Sequence, residues 1–72
     1  MNRVFEVDMF ENIKNILEHN LEEAKSELQK DKELSKTVDL SEKIKKAIFK
    51  ADELNINNLI KMIDFINQKI GE

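Results

Sequence analysis

The sequence lacks the residue types that small proteins use most often for cross-links and tight turns. Its 72 residues include no cysteine, proline, tryptophan or tyrosine, and one glycine, Gly71. The absence of cysteine excludes a disulfide framework and a cysteine-based metal site. Because proline is absent and glycine occurs once, the usual turn residues of β-hairpins are missing. These absences favour an all-α fold.

Long apolar runs are also missing. No segment approaches the roughly 18 consecutive apolar residues that a membrane span needs. The first ten residues, MNRVFEVDMF, contain no apolar run of signal-peptide length. We therefore expect a cytoplasmic protein that does not enter a membrane.

Charged residues, in contrast, make up 38% of the chain, with a formal net charge of −3. A composition rich in Glu, Lys, Leu and Ile is typical of helical bundles and coiled coils. A single core of this size seldom supplies more than about 3–5 kcal/mol without cross-links or association. The composition thus indicates a helical protein that depends on association for part of its stability.

The first helix is predicted over residues 8–33. Asp8 and Glu11 fit the capping-box pattern that begins a helix. The apolar residues that follow are three or four positions apart, as on one face of a helix; they are Phe10, Ile13, Leu17, Leu21, Ala24 and Leu28. Because Asp31 and Ser35 occupy the next two positions, we expect the packed part to end near Leu28. Residues 1–7 are interpreted either as a frayed tail or as a short apolar arm.

A second helix is predicted over residues 40–70, after a polar connection over residues 34–39. The segment Asp39-Leu40-Ser41-Glu42 repeats the capping-box pattern, and Gly71 lies where a left-handed C-terminal cap is expected. Two long helices with a short connection favour an antiparallel hairpin. The sequence therefore predicts a single helical-hairpin domain over residues 1–72.

The two predicted helices differ in the width of their apolar surface. At about 100° per residue, the apolar positions cover roughly 140° of the first helix and roughly 240° of the second. One neighbouring helix covers only part of the wider arc, and a large exposed apolar patch usually marks an interface. We expect the hairpin to be completed by self-association or by a helix of another protein.

This difference divides the apolar residues of the second helix into two predicted sets. The set expected to pack within the hairpin is Ile44, Ala47, Ile48, Ala51, Leu54, Met62 and Phe65. The set expected to bind a partner is Phe49, Ile56, Leu59, Ile60, Ile63, Ile66 and Ile70. Asn55 and Asn58 project into the same wide arc. Three interpretations of them stay open: a bend or fraying at NINN, a role in fixing register or partner, and simple solvation at the edge of a partner.

Charge favours contact between the two helices. Residues 8–28 hold six acidic and two basic side chains, a balance of −4, whereas residues 41–70 hold four acidic and six basic ones, a balance of +2. Each exposed pair contributes only about 0–1 kcal/mol. The opposite charges therefore favour the hairpin orientation more than they stabilise it.

Residues suited to catalysis are nearly absent. His19 is the single histidine, and there is no thiol or phosphate-binding glycine loop. His19 with Glu22 and Glu23 has the spacing of a weak metal contact, but its position opposite the apolar stripe favours a solvated side chain. The sequence predicts no catalytic residue, no metal and no cofactor, and therefore a protein that is not an enzyme.

Lys43, Lys46 and Lys50 share one face of the second helix and form the one candidate nucleic-acid feature. A two-helix hairpin that dimerises is similar in size and layout to plasmid copy-number regulators that bind RNA. The net acidity, the lack of arginine in the helices and the lack of an exposed aromatic for base stacking argue against nucleic-acid binding. A solvated lysine face is the preferred interpretation.

Two segments carry a resemblance to a known family: LEEAKSEL, with Leu21, Ala24 and Leu28, and AIFKADELNINNLIKMIDFI over residues 47–66. Over residues 10–70 the chain resembles the small helical-hairpin co-chaperones of bacterial type III secretion. The resemblance implies a cytosolic protein that works with a larger helical-repeat chaperone to keep the needle subunit monomeric before export. It implies no catalytic residue. The long polar segment KDKELSKTV and the asparagine cluster depart from the pattern.

Two functional hypotheses follow. The first is a non-catalytic protein-binding module of the secretion co-chaperone type, whose second helix packs on a foreign chain. The second is a homodimeric four-helix bundle that acts as a phage or plasmid type of regulator and binds RNA or another regulatory protein. The two hypotheses differ in what covers the second helix, which is another protein in the first and a second copy of the chain in the second.

Overall fold

The computed structural model describes residues 3–72, with side chains from Val4 onward. It consists of two helices, α1 over Arg3–Thr37 and α2 over Glu42–Gly71, which pack against each other along their length. The four residues between them reverse the chain, so the helices are antiparallel. This confirms the prediction of an all-α helical hairpin. Over the described residues, neither helix has a segment long and apolar enough to cross a membrane.

Helix α1 is longer at both ends than predicted. It begins at Arg3, so Asp8 and Glu11 lie inside the helix and the predicted capping box is wrong. Residues 3–7 are helical; residues 1 and 2, the rest of the predicted tail or arm, lie outside the described part. At the other end, the Ser35 and Thr37 hydroxyls donate to the carbonyls three residues earlier, at 2.7 and 3.0 Å. These bonds are made in the last turn of α1, which extends into residues predicted to belong to the connection.

Helix α2 begins two residues later than predicted, and its cap is Ser41 instead of Asp39. The Ser41 side chain accepts a hydrogen bond from the Ile44 N–H at 3.2 Å, and its extended backbone is that of an N-cap residue. The helix runs without interruption through Asn55 to Asn58. The fraying considered for NINN therefore does not occur.

The predicted left-handed cap at Gly71 is wrong. Gly71 is helical, and none of the described glycines has a positive φ. The N–H of Glu72 donates to the carbonyls of Gln68 and Lys69 at 3.1 and 3.3 Å. Because these bonds continue the right-handed helical pattern, no reversal at Gly71 is needed.

The contact between the helices is a coiled-coil seam. In each helix the shielded side chains are alternately three and four residues apart, which is the heptad spacing. The seam of α1 is Val7, Phe10, Lys14, Leu17, Leu21, Ala24, Leu28, Asp31 and Ser35. The seam of α2 is Lys45, Phe49, Asp52, Ile56, Leu59, Ile63, Ile66 and Ile70. The seam thus continues past Leu28, where the packed part of α1 was expected to end.

The structure places most of the core residues predicted for α1 in the seam and most of those predicted for α2 on the surface. Five of the six residues predicted for α1 lie in the seam, and Ile13, 36% exposed, lies beside it. In α2 the exposed residues of the predicted core are Ile44, Ala47, Ala51, Leu54, Met62 and Phe65, and only Ile48 is half-buried. Of the residues predicted to bind a partner, Leu59, Ile63 and Ile66 are buried inside the hairpin, and Phe49, Ile56 and Ile70 are half-buried there. The two sides of α2 are therefore exchanged relative to the prediction.

Continuous apolar contact explains the exchange. Four successive apolar seam positions of α2, from Ile56 to Ile66, lie level with the four apolar seam positions of α1 from Leu17 to Leu28. The apolar stripe of α2 beside this seam is interrupted in its centre by Asn55 and Asn58. Packing that stripe inward would have removed two amides from water without partners on α1, which is unfavourable.

The molecule is long and thin, with a small core. Its principal extents are 58 × 16 × 10 Å and its radius of gyration is 16.7 Å, against about 11 Å for a compact chain of this length. The buried hydrophobic residues are Ala24, Leu59, Ile63 and Ile66, each 7–9% exposed. With so little apolar surface shielded, the hairpin presents much of it to solvent.

Candidate functional site

Helix α2 carries a second heptad stripe beside its seam. Its members are again alternately four and three residues apart, and they are Ile44, Ile48, Ala51, Asn55, Asn58, Met62, Phe65 and Lys69. All but Ile48 and Lys69 are exposed, including Ile44 at 49% and Phe65 at 55%. A heptad stripe with exposed apolar members has the pattern of a helix-packing surface that the hairpin leaves uncovered.

Helix α1 carries a matching stripe on the same side of the hairpin. Its members are Met9, Ile13, Ile16, Asn20, Glu23, Glu27, Lys30 and Leu34. Leu34 and Ile48 line one cavity of about 190 Å³, and Asn20, Glu27 and Asn55 line one open groove of about 390 Å³. These shared cavities place the stripes side by side. We call the surface that the two stripes form the apolar face.

The apolar face has two apolar ends and a polar centre. At the open end of the hairpin the exposed side chains are Met9, Ile13, Ile16, Met62 and Phe65. At the loop end they are Leu34, Ile44 and Ala51, next to half-buried Ile48. Asn20, Glu23, Glu27, Asn55 and Asn58 lie between the two ends. The order of apolar, polar and apolar residues is therefore the same from either end of the face.

Lys69 is the last member of the α2 stripe, at the open end of the hairpin. Its Nζ lies 5.3 Å from the centre of the Phe65 ring and 3.6 Å from a carboxylate oxygen of Glu72. An ammonium group at this distance is attracted to the ring face. The contact restrains the Phe65 ring while most of it stays exposed.

The opposite broad side of the hairpin is polar. The positions that flank the seam there include Glu11, Glu18, Lys25, Lys32, Lys46, Glu53, Ile60 and Asn67, with Lys36, Lys43, Lys50, Asn57 and Asp64 further out. We call this surface the polar face. Two large apolar side chains flank the seam on this side, Ile60 at 40% exposure and Val4, one heptad before Glu11, at 70%. The hairpin therefore separates an apolar face from a polar face.

Lysines gather at the loop end of the polar face. Lys43, Lys46 and Lys50, the candidate nucleic-acid residues, are all exposed there. The antiparallel packing brings Lys32 and Lys36 of α1 to the same end, which the sequence reading did not include. The basic cluster is thus built from both helices.

A pair of carboxyl groups lies within the seam, which the sequence reading missed. A hydrogen bond with the Asp31 carboxyl, removal from water, and the negative charges of Asp31 and Glu27 raise the pKa of Asp52 from 3.8 to about 6. Oδ2 of Asp52 is buried without a hydrogen-bond partner. The available signal was the spacing, because Asp31 and Asp52 each occupy a heptad position in line with apolar neighbours.

A carboxyl that titrates near neutral pH is common in active sites. Here it lies between two helices, and the chain has no thiol and a single histidine that could assist it. That histidine, His19, occupies the side of α1 away from the seam. We therefore interpret the Asp31 and Asp52 pair as an element that controls stability.

The residues considered for metal binding do not converge on a site. Nε2 of His19 lies 2.8 Å from a carboxylate oxygen of Glu23, whereas Glu22 lies 3.6 Å from Nζ of Lys25. All four side chains are more than half exposed. Within the described residues, no group of three or more acidic, histidine or cysteine side chains is arranged to hold a metal ion.

Comparison with known proteins gives no match among protein-family models, curated proteins or solved structures.

Proposed function

We propose that this protein is a non-catalytic protein-binding module that works through its apolar face. The observation that carries the proposal is the grouping of exposed apolar side chains: seven of the twelve large ones lie in two clusters on the apolar face, whereas the flank of the polar face holds two, Val4 and Ile60. A protein that needed only solubility would gain nothing from grouping its exposed apolar side chains on one side. Contiguous exposed apolar patches mark interaction surfaces.

The stripes on the apolar face favour a helical partner. Residues spaced three and four apart along both helices form a shallow groove, into which a helix with the same spacing packs. Ile16, Met62 and Phe65, at 61%, 46% and 55% exposure, supply the apolar anchors at the open end. The polar centre fixes the register of such a partner, because the partner must place polar groups opposite the polar centre.

The resemblance to type III secretion co-chaperones is compatible with this function. In that hypothesis the partners are a helical-repeat chaperone and the needle subunit. The exchange of the two sides of α2 changes the residues that would make the contact. Ile44, Met62 and Phe65 take the place of Leu59, Ile63 and Ile66, which are buried in the hairpin.

Site-specific photo-cross-linking in cells tests the proposed function. A photoreactive phenylalanine analogue at Phe65, on the apolar face, should give covalent adducts to another polypeptide chain, either foreign or a second copy. The matched control carries the same analogue at Asn67, which is exposed on the polar face two residues away, and should give none. Equal yields from the two positions, or no adduct from Phe65, would contradict the proposal.

A second candidate function is binding of an anionic partner such as RNA. One observation favours it: five exposed lysines from both helices cluster at the loop end of the polar face, namely Lys32, Lys36, Lys43, Lys46 and Lys50. Such clusters contact phosphates, with an affinity that falls as salt rises. Lys46→Glu should reduce binding to an RNA hairpin in an electrophoretic assay, whereas Lys61→Glu, outside the cluster, should not. Equal effects would count against a specific basic site.

A further inference from the structure

We propose that the apolar face binds the same face of a second copy of this chain, with α2 of one copy packed antiparallel on α2 of the other. The inference rests on the proposed function and names the partner. Each hairpin keeps its own seam, so the assembly is a four-helix bundle with twofold symmetry.

The exposed area of the hairpin fits this assembly. The chain exposes 5609 Å², whereas a compact monomer of 8.5 kDa exposes about 4,700 Å². The excess is close to the roughly 800 Å² that each partner buries in an interface of standard size. One face of the hairpin, 58 Å long and 16 Å wide, is large enough to bury that area.

The stripe of α2 is complementary to itself when reversed. If Asn55 faces Asn58 of the second copy, the heptad spacing places Ala51 opposite Met62 and Ile48 opposite Phe65. A small side chain then meets a long one, and an aliphatic side chain meets an aromatic one. All the apolar members except Ile44, which faces Lys69, meet apolar members, and the amides meet amides.

Pairing the amides fixes the register. A side-chain amide both donates and accepts hydrogen bonds, so Asn55 and Asn58 of the two copies satisfy one another. Sliding one helix by a heptad places these amides opposite Ala51 and Ile48, or opposite Phe65 and Met62, where they lose their partners. A polar pair at the centre of a heptad seam therefore selects one alignment.

The alternative stacking, with α2 of one copy on α1 of the other, fits less well. It places Asn55 and Asn58 against Glu23 and Glu27, and the apolar loop end of α2 against Lys30 with only Leu34 as an apolar neighbour. In the arrangement that we propose, the charged residues of the α1 stripe stay at the outer edge of the bundle, where water reaches them.

A cavity supports the same arrangement. The cavity of about 190 Å³ at the loop end is lined by Leu34, Ile48, Phe49 and other residues. Because Phe65 of the second copy lies opposite Ile48, its exposed ring is next to this cavity and packs over it. The same contact occurs twice in the dimer, once at each end.

Two measurements on the full chain test the proposal. Light scattering over a wide concentration range should give twice the chain mass of 8.5 kDa. Because the chain has no cysteine, the single variants Ala51→Cys and Met62→Cys report one pairing without background. Mixed and oxidised, they should form a disulfide-linked dimer. Each alone should stay unlinked, since two copies of one position lie about 16 Å apart along the antiparallel helices, beyond the ~7 Å limit for a disulfide.

Matched variants complete the test. Phe65→Glu should weaken dimerisation by about 30-fold or more, as for an aromatic anchor that is lost from both ends of the interface, without loss of helicity, because the ring is exposed in the hairpin. Asn67→Glu on the polar face should leave dimerisation unchanged. Asn55→Leu with Asn58→Leu should keep the dimer and allow additional cysteine pairings, because the register is no longer fixed.

Each other outcome overturns the inference in a different way. If the chain is monomeric at all concentrations but Phe65 still gives adducts to a foreign protein in cells, the inference of a second copy is contradicted. The proposed function is then unaffected. If the chain is monomeric and Phe65 gives no adduct, both this inference and the proposed function are contradicted. A dimer in which Ala51→Cys links to Leu34→Cys, and not to Met62→Cys, replaces the proposed pairing by contact between α2 and α1 of the second copy.

Discussion

Asp52 shows how one residue can set the stability of a small core. It interrupts the apolar seam of α2 one heptad before Leu59, and its carboxyl faces that of Asp31 across the helix contact. With both groups ionised, two negative charges share a partly dehydrated site, which disfavours the folded chain. With Asp52 protonated, the two carboxyls hydrogen-bond. The stability of the hairpin therefore depends on whether one proton is bound.

The first prediction concerns pH. The pKa of Asp52 rises from 3.8 to about 6 on folding, so its contribution is most favourable at low pH and is lost as pH rises between these two values. We expect Asp52→Asn to stabilise the protein at pH 7.5 by about 1–2 kcal/mol, less than the full shift implies because Asp52 is only partly buried. Urea unfolding at pH 5 and 7.5 measures this effect.

The control for this prediction is Asp64→Asn, which removes an exposed carboxylate on the polar face. The free energy of unfolding of the parent chain should differ between the two pH values. In Asp52→Asn this difference should be smaller by about 1 kcal/mol. Asp64→Asn should keep that difference. If all three proteins show the same pH dependence, the Asp31 and Asp52 pair does not control stability.

At the scale of one element, α2 is the unusual part of the molecule, because it carries two heptad stripes side by side. One stripe packs on α1 and includes Ile56, Leu59, Ile63 and Ile66, whereas the other faces outward. A helix with two such stripes is apolar over most of its circumference, as a helix with neighbours on two sides must be. The width of the apolar arc was visible in the sequence.

The second prediction separates two neighbouring isoleucines of α2. Ile63 is 9% exposed in the seam, whereas Ile60 is 40% exposed on the polar face. Ile63→Asp places a carboxylate in the core and should unfold the hairpin, with a loss of about 3 kcal/mol or more. Ile60→Asp should change stability by less than about 1 kcal/mol. Circular dichroism of the two variants during urea unfolding measures the difference, and comparable losses would show that α2 is rotated relative to this structure.

The fold class and the stripe of α1 were predictable because each depends on local spacing. The side of α2 that packs on α1 was not, because both stripes have heptad spacing and each contains polar residues, Asp52 in one and Asn55 with Asn58 in the other. The choice depends on the match between four successive apolar seam positions of α2 and four of α1. The helix ends were predicted less well, since Asp8 and Asp39 suit a cap but the actual limits depend on neighbouring hydrogen bonds.

At the scale of the whole molecule, the core is too small to stabilise the chain generously. The buried hydrophobic residues lie in the middle and open-end parts of the hairpin, and the loop-end part of the seam includes Asp31, Ser35, Lys45 and Asp52. Covering the apolar face adds burial to both halves. Binding to the folded chain alone also stabilises it by mass action. Association is therefore expected to add to the stability of a hairpin that folds by itself.

The elongated shape affects how the size of this protein is measured. A radius of gyration of 16.7 Å is that of a compact protein of about 200 residues. On a size-exclusion column calibrated with globular standards, a single hairpin therefore elutes well ahead of its mass and resembles an oligomer. Stacking a second hairpin on one face adds thickness and little length, so the dimer elutes only slightly earlier. Retention volume separates the two species poorly, whereas their scattering masses differ by a factor of two.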